Sequence, residues 1–225
     1  MIYSGTFSGG LMKFKAIIFD LDGTLLNTLK DLFDSMNHAL DACGYGNITL
    51  EQTRSYVGNG IERFLELSLS QGKDNKDFVK CLQLFKAHYS INMENKTKPY
   101  DGVIELLKEI KQRNYKTAIV SNKFNAAVKQ MCPKYFNGYI DVAIGESEKV
   151  RKKPAPDSIY MALEQLGVDK SQACYIGDSD VDANTAGNAG MVFVGVSWGF
   201  RDKELLYSLG AVTVIDRPEQ LLDII

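Results

Sequence analysis

Four short clusters of polar side chains carry most of the chemistry this sequence could perform. The first is Asp20-Leu21-Asp22-Gly23-Thr24-Leu25. Residues two apart on an extended chain point to the same side, so Asp20 and Asp22 can share one site. Two close carboxylates repel, and are best tolerated where a cation or a shared proton offsets them. The second cluster is Ser121-Asn122-Lys123, and the third is Gly177-Asp178-Ser179-Asp180-Val181-Asp182. A separate loop, Lys152-Lys153-Pro154-Ala155-Pro156, supplies cations on a backbone that its prolines stiffen.

Each cluster also has a bland explanation. An Asp at a strand end is often only a helix N-cap, and Ser-Asn is ordinary turn chemistry. Asp178, Asp180 and Asp182 match the first three ligand positions of a calcium loop. However, Ala183 stands where its sharp turn needs Gly, and Ala189 stands where its bidentate Glu belongs. A strand rather than a helix precedes it, and the Asp20 loop fails the same template. Gly58-Asn59-Gly60 lacks the leading strand and the Gly-Lys-Ser/Thr ending of nucleotide phosphate cradles.

The elements that must position these clusters follow from hydrophobic patterning. Residues 16–19 form a continuous apolar run that ends in the first carboxylates, which suits a strand buried on both faces. Similar runs recur at 117–120, 142–144, 173–176, 191–194 and 212–215. Helical patterns lie between them, such as Val103, Leu106, Leu107 and Ile110, or Ile159, Leu163 and Leu166 ending at Gly167. Alternating strands and helices predict an α/β fold, a Rossmann-like parallel sheet flanked by helices with its chemistry outside the carboxyl strand ends. Residues 27–98 break this rhythm with helical periodicity alone. Leu29, Leu32, Phe33, Met36, Leu40 and Cys43 form one stripe, with Asn27 as expected N-cap and Gly44 as stop. Thr49 and Gln52 predict a capping box, and Phe78, Leu82, Phe85 and Tyr89 line a later helix. The expected organisation is a core of 13–26 plus 99–225, an inserted helical module of 27–98, and a flexible leader of 1–12 with Met12 as an alternative start.

Overall composition narrows the function classes. With 45% hydrophobic and 24% charged residues over 225 positions, the chain can pack one core with a smaller module. A net charge of -2 provides no basic field for nucleic acid. Cys43, Cys81, Cys132 and Cys174 are widely spaced and form no zinc or redox motif. No run approaches the roughly 20 apolar residues of a membrane span, and the first residues do not form a secretion signal. A cytoplasmic protein that binds neither nucleic acid nor membrane is expected, as a monomer or homodimer.

Taken in order, Asp20-x-Asp22-Gly-Thr-Leu, Ser121-Asn122, Lys153-Pro154 and Gly177-Asp178-x-x-x-Asp182 resemble the four motifs of the haloacid dehalogenase superfamily. The likeness runs from Phe14 to the end, and residues 27–98 resemble that superfamily's α-helical cap. Tyr56-Val57-Gly58-Asn59-Gly60, Ser121-Asn122-Lys123 and Val196-Ser197-Trp198-Gly199-Phe200 are similar to its phosphoglycolate phosphatase branch. One departure is Asn27, where that branch commonly carries Asp. The resemblance implies a magnesium-dependent phosphatase acting on a small phosphorylated metabolite. It implies Asp20 as nucleophile and Asp22 as general acid/base. Ser121 and Lys153 would hold the phosphoryl group, with Thr24, Asn122, Gly58, Asn59 and Gly60 in the substrate site. Asp20, the Asp22 carbonyl, Asp178 and, more distantly, Asp182 would hold Mg2+. A carboxylate approaching a phosphate dianion meets repulsion of about 4 kcal/mol per charge pair at 4 Å and an effective dielectric near 20, which magnesium and Lys153 would offset.

Within the superfamily Asp22 discriminates, because an acid at that position favours breakdown of a phospho-enzyme by water. Alternatives are a sugar phosphomutase, a phosphonatase using a cap lysine, and a non-catalytic phospho-ligand binding protein. Lys73, Lys76, Lys80 and Lys86 have the spacing of a solvated helix face, so they do not favour the phosphonatase. His38 and His88 read as structural, and Trp198 as a packing residue. The two connections of the insert predict hinges near Leu26–Asn27 and Lys98–Pro99.

Overall fold

The computed structural model describes residues 14–148 and 150–225; the expected leader lies outside them. Strand β1 (Ala16–Phe19) is followed by the two-residue β2 (Leu26–Asn27). Four helices come next: α1 (Leu29–Ala42), α2 (Leu50–Tyr56), α3 (Ile61–Ser68) and α4 (Phe78–Asn92). The chain returns through β3 (Lys98–Pro99) to α5 (Val103–Gln112), β4 (Lys116–Phe124), α6 (Asn125–Phe136) and β5 (Val142–Glu146). It ends with α7 (Asp157–Leu166), β6 (Ala173–Gly177), α8 (Asp180–Ala189), β7 (Val192–Val196), α9 (Lys203–Ser208) and β8 (Thr213–Ile215).

Among the described residues, six strands form one parallel sheet in the order β5-β4-β1-β6-β7-β8. Its strands are buried on both faces, as continuous apolar runs require. Ile17 and Phe19 face one core, and Ala16 and Ile18 the other. The chain departs in opposite directions on the two sides of β1, so loops after β1, β4 and β6 open a crevice at their carboxyl ends. The helical insert extends one of these cores: Leu32, Met36, Phe64 and Phe85 join Ile17 and Phe19 in a single apolar cluster.

One local expectation needs correction. Asn27 is not the N-cap of α1; it pairs with Lys98 in the antiparallel ribbon of β2 and β3, and Thr28 takes the cap without a side-chain hydrogen bond. The helix begins at Leu29, which puts Thr28 in the cap position and leaves Asn27 one residue too early. Ser121-Asn122-Lys123 occupies the end of β4, where pairing with β5 resumes at Phe124 and Glu146 after a register shift. The Thr49–Gln52 capping box forms as the sequence suggests. Where the insert joins the sheet, Asp31 on α1 accepts backbone N–H bonds from Lys96 at 3.0 Å and Thr97 at 2.8 Å, tying the returning linker to the first helix.

Candidate active site

Asp20 continues the β1 ladder, its N–H donating to the Ile176 carbonyl at 2.9 Å, and this aims its carboxylate into the crevice. Lys153, from the loop after β5, donates to Asp20 Oδ1 at 2.6 Å and to Asp182 Oδ1 at 2.7 Å. Asn122 fixes that loop: its amide accepts from Lys153 N–H at 2.8 Å and donates to the Lys153 carbonyl at 3.1 Å. The same amide donates to the Gly58 carbonyl of the insert at 3.2 Å. Asn122 lines the cavity, yet its hydrogen bonds are spent on positioning Lys153 and Gly58.

Asp178 follows β6 and is fully buried. Its Oδ1 accepts from the Thr24 hydroxyl at 2.9 Å, and its Oδ2 from the Phe200 N–H at 2.7 Å. Its slot is made by absent side chains, since a Cβ on Gly23 or Gly199 would strike the carboxylate. Gly23 also has φ +95°, which a residue with a Cβ rarely adopts. Asp182 lies in the first turn of α8. Its Oδ2 accepts from Ser179 Oγ at 2.5 Å and from Ser179 N–H at 3.1 Å, and its Oδ1 from the Tyr175 hydroxyl at 3.0 Å as well as from Lys153. Both oxygens of Asp182 are thus already well supplied with donors, which fits a positioning part better than direct coordination.

Carboxylate oxygens of Asp20, Asp178 and Asp182 lie within 4.8 Å of one another. Burial pushes the Asp20 carboxyl well above the ordinary range and Asp182 adds to it, while Lys153 returns only part of the shift. Burial, then Asp182, pushes Asp178 up to about 7. For Lys153, burial alone would pull the ammonium down, but Asp182 and Asp20 hold it well above the lysine range. Fully ionised, these three carboxylates and the Lys153 ammonium would carry -3 + 1 = -2. An all-oxygen donor set with that deficit fits a hard dication such as Mg2+.

The Asp22 carboxylate stays outside this trio and meets Lys123 Nζ at 3.1 Å. Lys123 is buried, also donates to the Tyr89 hydroxyl, and lies 4.7 Å from the centre of the Tyr89 ring. Ser121 and Asp22 line the cavity with Gly58 and Gly60. Asn59 is not among the residues lining this cavity, and Thr24 is buried with its hydroxyl donating to Asp178. The backbone, not the side chain, is what the 58–60 loop presents.

Sequence reasoning missed several partners. Tyr89 looked like one more apolar residue on a helix stripe, and Tyr175 like part of a strand core. Arg54 of the insert donates to the Gly199 carbonyl at 2.6 Å and the Phe200 carbonyl at 3.2 Å. Arg201 reciprocates, donating to the Arg54 and Val57 carbonyls at 2.9 and 3.0 Å and pairing with Asp180 at 2.8 Å. Nothing in the sequence links two arginines so far apart.

The fold agrees with the comparisons. A family model described as haloacid dehalogenase-like hydrolase matches residues 17–196, and the chain belongs to that family. A phosphoglycolate phosphatase of Mesorhizobium japonicum is 32% identical over 193 residues, covering 84% of this chain and 85% of that protein. One from Vibrio parahaemolyticus is 32% identical, covering 94% and 96%. An N-acetylmuramic acid 6-phosphate phosphatase of Pseudomonas aeruginosa is 28% identical, covering 95% and 96%. Among solved structures, a Lactobacillus delbrueckii protein provisionally called a phosphoglycolate phosphatase superposes with a TM-score of 0.88 at 34% identity, covering 93% and 97%.

Proposed function

We propose that this chain is a magnesium-dependent phosphatase that hydrolyses a small phosphomonoester, with phosphoglycolate the best single candidate, through an aspartyl-phosphate on Asp20. The observation that carries the reading is the buried Asp20 carboxylate, held by Lys153 at 2.6 Å beside Asp178 and Asp182 with Asp22 on the same cavity. Asp20 attacks phosphorus, and Asp22 protonates the departing oxygen. Asp22 then takes a proton from the water that cleaves the acyl phosphate. Ser121 and Lys153 hold the phosphoryl oxygens, with Lys153 kept in place by Asn122 and Asp182. Mg2+, held by Asp20, Asp178 and the Asp22 carbonyl, would supply charge neutralisation between the nucleophile and the phosphate. Asp182 and Thr24 orient that centre.

Residues 27–98 serve as a cap over a core of 13–26 and 99–225, moving at the β2–β3 ribbon to admit substrate and exclude water. The cavity beneath them is about 60 Å³. Phosphoglycolate, and N-acetylmuramic acid 6-phosphate with its lactyl arm, each carry a carboxylate besides the phosphate. Among the described residues the lysines lining the cavity are Lys123 and Lys153, both outside the insert, which gives no support to a Schiff-base lysine on the cap. The test is phosphate release from a panel of phosphoglycolate, hexose phosphates and nucleoside monophosphates, with and without magnesium. Release that requires magnesium and favours phosphoglycolate supports the reading. Interconversion of hexose phosphates without net release would replace it by a mutase.

A further inference from the structure

We infer that Lys123 is the specificity residue of this site, receiving a carboxylate carried by the leaving group of the substrate. The inference rests on the phosphatase reading above and adds the feature by which one phosphomonoester is chosen over another. Two ammonium groups line the cavity among the described residues, and they are placed differently. Lys153 is committed to Asp20 and Asp182, on the side where phosphorus is attacked. Lys123 instead sits 3.1 Å from Asp22 Oδ1 and against Tyr89 of the insert. A residue that protonates the leaving oxygen must touch it, so the atoms attached to that oxygen extend past Asp22. Lys123 is the cation they meet there.

The surroundings of Lys123 support this assignment. Its side chain is 3% exposed, and a charge so deeply buried needs counter-charge and hydrogen bonds. An ammonium has three N–H groups, and its side-chain hydrogen bonds among the described residues are two, to Asp22 and the Tyr89 hydroxyl. One N–H remains for an occupant of the cavity. The Tyr89 ring holds the ammonium from the insert side, so its position is fixed before any ligand arrives. The neighbouring wall is Leu32, Val57, Ile61 and Phe64. Such a wall offers no partner to a ring of hydroxyls but accepts a short carbon chain ending in one anionic group. An incoming carboxylate shares Lys123 with Asp22 and loosens the grip on Asp22 when it must reach the leaving oxygen.

The test compares phosphoglycolate with ethyl phosphate, which lacks the carboxylate and is otherwise nearly isosteric, using magnesium-loaded protein. Wild type should prefer phosphoglycolate in kcat/KM by about 30-fold or more, the worth of a hydrogen bond to a charged group. Lys123→Met should collapse that preference towards unity, whatever common loss both substrates suffer. Lys123→Gln, which keeps donors for Asp22 and Tyr89, serves the same comparison if the Met variant does not fold. A variant that loses activity on both substrates by the same factor, keeping the wild-type preference, would show that Lys123 acts only through Asp22, and would overturn the assignment. No preference in wild type would overturn it too, while hydrolysis of ethyl phosphate keeps the phosphatase reading intact. Absence of magnesium-dependent hydrolysis of either ester would overturn both.

Discussion

The three buried carboxylates make the stability of this protein depend on pH and magnesium together. Asp178 is pushed up to about 7 from an ordinary 3.8, and Asp20 is raised as well. Between pH 4 and 7 the metal-free folded protein therefore keeps a proton on Asp178 that the unfolded chain releases. More protons bound in the folded state means that stability falls as pH rises through this window. One such group contributes a slope of up to about 1.4 kcal/mol per pH unit. For a chain of this size that is roughly 3–6 °C in Tm per unit. His88 opposes this below pH 6.5, because burial, then His38, lowers it in the fold and stability is lost as it charges in acid. The comparison is therefore wild type against Asp178→Asn, by thermal unfolding from pH 5 to 8 in a chelator and in excess magnesium. The wild-type curve should drop relative to the variant as pH rises in chelator. Magnesium should restore it, by more at pH 8 than at pH 5, where the ion must displace protons. Parallel curves for the two proteins, or an equal magnesium shift at both pH values, would refute the electrostatic account of this cluster.

Asp20→Asn should lower turnover by at least about a thousandfold while leaving the circular dichroism unchanged. Persistent activity in that variant would remove Asp20 from the nucleophile position. Gly199→Ala should raise the magnesium concentration needed for half-maximal activity by about tenfold or more, because its Cβ would collide with the Asp178 carboxylate. An unchanged magnesium dependence would mean that Asp178 does not need its slot.

Much of the architecture was legible because buried parallel strands write themselves as unbroken apolar runs, and the chemistry falls where those runs end. Asp20 and Asp178 could be placed at strand ends on that ground, and Thr49 with Gln52 could be read as a cap from three residues of spacing. Side-chain direction was less visible. Thr24 and Asn122 stand beside residues that face the cavity, and only the fold turns the one behind Asp178 and commits the other to the Lys153 backbone. Asn27 has the right chemistry for a cap but is claimed by strand pairing with Lys98, a partner 71 positions away (98 − 27 = 71). Lys123 was in plain view within Ser-Asn-Lys; its burial against Tyr89 depends on how the insert folds back, which no local pattern encodes.

The Gly199–Phe200 segment is gripped from two directions. Arg54 takes its carbonyls from the insert, and Asp178 takes the Phe200 N–H from the opposite side. Arg201, the next residue, returns the hold on the insert through the carbonyls of Arg54 and Val57. Lifting α2 away from the sheet therefore cannot be mechanically silent at Asp178: it strips the outer supports from the strand of backbone whose amide steadies that carboxylate. Under the proposed cap movement, admission of a ligand and firmness of the Asp178 carboxylate would be geared to one another through three consecutive residues.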